Sequence, residues 1–79
     1  MSVRATIVET FQQVASEQQR TLAKLSNDIR LLESGLDSLS FALIVARLED
    51  SLGFDPFATV DSFPVTFGDF VKLYENPPK

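Results

Sequence analysis

At 79 residues and 8.8 kDa the chain has room for one hydrophobic core and not for a second domain. Seven Phe, 44 % apolar residues and no low-complexity run describe a folded domain rather than a disordered tail. The absence of Cys and His removes disulfides, thiolate nucleophiles, imidazole bases and Cys/His zinc sites, and a net charge of −4 disfavours nucleic acid as a partner.

The charge is unevenly placed. Residues 28–61 hold Asp28, Glu33, Asp37, Glu49, Asp50, Asp55 and Asp61 against Arg30 and Arg47, a net of −5, whereas residues 1–27 are slightly basic. Such an acidic middle favours basic protein partners. Residues 1–15 mix Arg4 and Glu9 into a polar and apolar pattern unlike a signal peptide, and no apolar run reaches transmembrane length. The expectation is a soluble, cytoplasmic monomer, with residues 1–79 as one unit.

Ser2 is placed to cap a first helix over about 3–19, in which Ile7, Val8, Phe11, Val14 and Ala15 share one side. From Arg20 to Leu36 the pattern loosens around the turn signal Ser26-Asn27-Asp28. This reads as a long first loop tacked to the core by Leu22, Leu25, Ile29, Leu31, Leu32 and Leu36. A connection of that length either carries function or means that the first helix runs on to Leu25.

Gly35 frees the backbone just before Asp37, a good N-cap whose carboxylate can accept from the N–H of Leu39 or Ser40. A helix over about 38–52 follows. Phe41, Ile44, Val45, Leu48 and Leu52 form its core stripe, and Gly53 stands where helices stop. Leu39, Ala42, Leu43, Ala46, Arg47 and Asp50 are left on the other side. Leu39 and Leu43 would make an exposed apolar patch with the two alanines, which reads as a docking surface. Charging Leu43 is then expected to weaken docking and spare the fold.

Asp55-Pro56 stops the second helix, and a short helical turn is expected over about 59–63. Thr66 and Asp69 form a capping pair for a last helix over about 67–75, with Phe67, Phe70, Val71 and Tyr74 on its apolar side. No segment has the alternation of a strand. The fold class predicted is all-α: a small antiparallel helical bundle of three main helices and one short helix.

With Asp37 capping, the Ser38 hydroxyl is left free at the start of a helix, a position that favours a phosphate ester. A serine nucleophile needs a base, and neither Lys24 nor Lys72 belongs to a motif that ties it to Ser38. Glu49 and Asp50 are adjacent on a helix and do not face each other, so they do not form a catalytic pair. No catalytic residue and no metal site is expected.

The run Leu31-Leu32-Glu33-Ser34-Gly35-Leu36-Asp37-Ser38-Leu39-Ser40, followed by a helix ending Val45-Ala46-Arg47-Leu48-Glu49-Asp50-Ser51-Leu52-Gly53, resembles the acyl and peptidyl carrier proteins. The resemblance extends to chain length, the long first loop and the weak element before the last helix. It implies that Ser38 carries 4′-phosphopantetheine, transferred from coenzyme A by a phosphopantetheinyl transferase. It also implies a stand-alone, non-enzymatic carrier of acyl thioesters that serves acyl-loading and acyl-transferring enzymes. The thiol would come from the arm, since the chain has none.

Asp37, Leu39, Ala42, Leu43, Ala46, Arg47 and Asp50 would then be the partner-docking residues. Ser40, Leu43 and Arg47 depart from the acidic pattern of fatty-acid carriers, which points to a specialised lipid, fatty-acid or polyketide pathway. The alternatives are an aminoacyl or peptidyl carrier of nonribosomal peptide type and an unmodified helical adaptor.

Overall fold

Ser2, Asp37 and Thr66 each start a helix by the same chemistry, a side-chain oxygen accepting from the backbone N–H three residues on. Ser2 Oγ accepts from Ala5 at 3.1 Å and opens α1 (Val3–Glu17). Asp37 Oδ1 accepts from Ser40 at 2.9 Å and opens α2 (Ser38–Leu52). Thr66 Oγ1 accepts from Asp69 at 3.1 Å and opens α3 (Phe67–Glu75). The computed structural model describes residues 2–59 and 63–76. Among them the fold is all-α, with 3-10 turns at Leu31–Glu33 and Pro56–Thr59 and one isolated antiparallel bridge, Arg30 with Thr66.

The first helix ends at Glu17 and does not continue to Leu25. Gln19 takes the left-handed conformation, φ 55°, and the backbone folds back so that the N–H groups of Gln18 and Arg20 donate to Val14 and Ala15. The second helix stops at Gly53, φ 85°, whose N–H closes on Glu49 at 2.8 Å.

The core is built on α1, against which both α2 and α3 pack. Phe11 is its centre, meeting Phe67 and Phe70 edge-on at 5.2 and 5.3 Å and Phe41 at 6.3 Å. Ile7, Val14, Ile44, Leu48 and Val71 fill the space around the rings. Each ring of this size stabilises the fold by about 1.5–3 kcal/mol of removed apolar surface. Tyr74 is also buried, and its hydroxyl has no hydrogen-bond partner among the described residues.

The long first loop is held along its length. Leu31 N–H donates to Val65, Phe67 N–H to Ile29 and Gly68 N–H to Asn27, all at 2.9–3.0 Å, which fastens the loop to the entry of α3. Ala23 N–H reaches Ser34 at 2.9 Å, and Gly35, φ 98°, lies so close to Thr21 that a Cβ there would stand 2.2 Å from its carbonyl oxygen. Leu31 and Leu36 are buried, and Leu22, Leu25 and Ile29 are half-buried against the core. Leu32 does not tack the loop down as expected. It is 84 % exposed, because consecutive residues of a 3-10 turn point about 120° apart and Leu31 takes the inward direction.

The short helical element lies earlier than the 59–63 expected, at Pro56–Thr59. Asp55 and Pro56 start it: Asp55 Oδ1 accepts from the Phe57 N–H at 2.9 Å, and proline suits a first helical position. Of the expected span, 60–62 lie outside the described residues.

Candidate functional site

Around Ser38 the chain has divided its polar groups so that the serine is left over. Asp37 Oδ1 accepts both the N–H and, at 3.0 Å, the hydroxyl of Ser40; Oδ2 accepts Arg20 Nη2 at 2.6 Å. The Ser40 N–H first, the Ser40 hydroxyl next and then Arg20 hold the Asp37 carboxyl below its usual range. Ser40 is buried and belongs to the cap. Ser38 is exposed, and its hydroxyl makes no hydrogen bond with the described residues. It is therefore open to a group attached from outside.

Ser38 stands on the wall of a groove of about 830 Å³. Ser38, Ala42, Val45, Ala46 and Glu49 line one wall, at the spacing that puts residues on one face of a helix over about 16 Å of its length. Leu31 and Leu32 from the first loop, with Phe63, Pro64 and Val65 from the segment before α3, face them, and Phe41 and Phe57 also contribute to the lining. Phe57 and Phe63 stack at 5.2 Å. Among the described lining residues the charged ones are Arg30 and Glu49.

The sequence pattern places Ala42 and Ala46 on the outer side of α2 but carries no sign of a groove there. Val45, expected in the core stripe, is half-buried and lines the groove; Leu52 is also half-buried. The helix has neighbours on its α1 side, and its flank beside residues 63–65 stays open. The only sequence signal for the opposite wall is the cluster of apolar residues Phe57, Phe63 and Val65 outside any helical period.

The residues expected on one outer face divide three ways. Ala42 and Ala46 are exposed in the groove, and Leu39, 62 % exposed, and Asp50 remain outside it. Leu43 and Arg47, one turn apart, are half-buried. Leu43 packs against the core, and Arg47 donates through Nη1 to Glu17 Oε2 at 2.7 Å and through Nη2 to Glu17 Oε1. The apolar patch expected from Leu39, Ala42, Leu43 and Ala46 therefore lacks an exposed Leu43. The edge that carries it is turned toward the end of α1, where Glu17 draws Arg47 in.

No cluster of three metal-ligating side chains occurs among the described residues, and no helix among them is long and apolar enough to cross a membrane. Comparison with curated proteins and with solved structures finds no match. Residues 5–60, more than half of the chain and including Asp37, Ser38 and the whole of α2, match the family described as phosphopantetheine attachment site. Its domain is where 4′-phosphopantetheine is covalently attached, and an exposed serine, unbonded among the described residues and on the wall of an open groove, fits that group. The chain belongs to the phosphopantetheine attachment site family, that of the acyl and peptidyl carrier proteins.

Proposed function

We propose that Ser38 carries the 4′-phosphopantetheine arm and that the protein holds acyl groups as thioesters for partner enzymes of a lipid, fatty-acid or polyketide pathway. The arm supplies the thiol that bears the cargo. The chain's own residues do the rest: Ser38 offers a hydroxyl that none of the described residues engages, and Asp37 keeps the start of α2 formed around it. The groove that Ser38 helps to line is the observation that supports an acyl cargo. Apart from Arg30, Ser38 and Glu49 its described lining is apolar, with Phe41, Val45, Phe57 and Phe63 among it, so an alkyl chain leaving water there gains about 0.8 kcal/mol for each methylene fully covered.

The exposed residues Leu39, Ala42, Ala46 and Asp50 are the surface offered to the transferase and to acyl-handling enzymes. Attachment brings the cargo to each enzyme at high effective concentration, which is the whole contribution of a carrier to rate.

Two measurements test this reading. Incubation with coenzyme A and a phosphopantetheinyl transferase is expected to add one arm to the wild type and none to Ser38→Ala, read by intact mass. An eight-carbon acyl group on the arm is expected to raise the melting temperature above that of the two-carbon form. Equal melting temperatures would reject the groove as the place that holds the cargo.

A further inference from the structure

Arg20 is seventeen residues from Asp37 in sequence and bonded to it in space. It gets there through the turn that ends α1: Gln19 at φ 55° and the 2.9 Å bond from Arg20 N–H to Ala15 O send the chain toward the start of α2. A glutamine held in the left-handed region is uncommon, and here it places one cation at the entry of α2.

The guanidinium has five N–H donors, and a single bond, to Asp37 Oδ2, is made with the described residues. The side chain is 41 % exposed. Ser38 follows Asp37 directly, so a phosphodiester on its oxygen sets a second fixed anion beside the carboxylate. Two adjacent anions repel, and a guanidinium with spare donors suits a phosphate by geometry as well as charge. Arg47 is taken up by Glu17; Arg30 lines the same groove as Ser38 but has no bond to Asp37, and it serves as the comparison cation in the test.

We propose that Arg20 is a positioning residue for the arm, its guanidinium shared between the Asp37 carboxylate and the phosphodiester on Ser38. The inference rests on Ser38 being the attachment residue. It gives a role to a residue outside the Asp-Ser-Leu run: Arg20 balances both charges and restrains the arm at its root.

The test compares wild type, Arg20→Gln, Arg20→Lys and Arg30→Gln, each before and after modification, by melting temperature and by the phosphorus-31 resonance of the modified form. Arg20→Gln is expected to lower the melting temperature by about 3 °C more in the modified form than in the unmodified one. It is also expected to move the phosphorus resonance, with Arg20→Lys restoring part of both effects and Arg30→Gln changing neither. A phosphorus resonance unmoved by Arg20→Gln, or moved equally by Arg30→Gln, overturns the proposal. Equal thermal losses in the two forms also overturn it and make Arg20 a partner of Asp37 alone. Failure of the wild type to gain the mass of the arm, under a transferase that modifies a known carrier, rejects the attachment reading, and the role of Arg20 falls with it.

Discussion

Glu17 and Arg47 join the last turn of α1 to the third turn of α2 through two hydrogen bonds, thirty residues apart in sequence. The pair draws in a cation that would otherwise extend from the outer side of α2. It also makes part of the stability acid-sensitive. The bond from Arg47 holds the Glu17 carboxyl below its ordinary 4.5, and the Ser40 N–H is first among the groups that hold Asp37 below its ordinary 3.8. Both carboxyls are therefore stronger acids in the folded protein than in the unfolded chain. Their contribution is fully present above those ordinary values and is lost as pH falls through them toward the lower folded values. Melting temperatures from pH 7 to pH 2.5 are expected to hold level and then drop, with a shallower drop in Glu17→Gln. An unchanged acid slope in that variant would show that the pair contributes nothing to it.

Leu39 and Leu43 separate docking from folding. Leu43→Glu puts a charge against the core and is expected to cost about 1–3 kcal/mol. Leu39→Glu alters an exposed position and is expected to stay within about 0.5 kcal/mol of wild type while raising the KM of modification by a transferase. Urea denaturation of both variants and transferase kinetics on the Leu39 variant check this. The expectation that charging Leu43 spares the fold is replaced, because a half-buried leucine is not available to a partner without loss of packing.

Gly35 binds the first loop to the site. A Cβ there meets the Thr21 carbonyl at 2.2 Å, and φ 98° is outside the range that alanine adopts without strain. Gly35→Ala is expected to destabilise by about 2 kcal/mol or more and to slow the modification of Ser38, since the loop enters α2 three residues later. Chemical denaturation with the mass-shift assay reads both effects.

Tyr74 carries a buried hydroxyl without a partner among the described residues, and burial, with Asp55 and Glu49 nearby, pushes its ionisation up. Tyr74→Phe keeps the ring contacts with Phe54, Phe57 and Phe70 and removes the unmatched group. The expected result is a gain of up to about 1 kcal/mol, measured by thermal unfolding. A loss would show that the hydroxyl has a partner after all.

Much of the fold could be read locally. Ser2, Asp37 and Thr66 as caps, Gly53 as a stop, and Phe41, Ile44 and Leu48 at helical spacing are short-range features, and short-range steric and hydrogen-bond preferences act on them in any context. The lack of Cys and His by itself limits the chemistry open to the chain, and the Asp-Ser-Leu run with its neighbours carries the resemblance to the carrier family that residues 5–60 match.

Tertiary structure alone decided which sides of α2 are covered. A stripe of apolar residues tells how a helix is coloured, not where its neighbours stand. The groove beside Ser38 exists because the first loop pairs with the entry of α3 through Leu31 and Val65, which leaves the Ala42, Val45 and Ala46 flank open. Leu43 packs against the core, Arg47 is drawn in by Glu17, and Arg20 is brought to Asp37 by a left-handed glutamine. Those contacts join residues far apart in the chain. Their geometry follows from how three helices and a long loop share one core, which no local pattern of residues encodes.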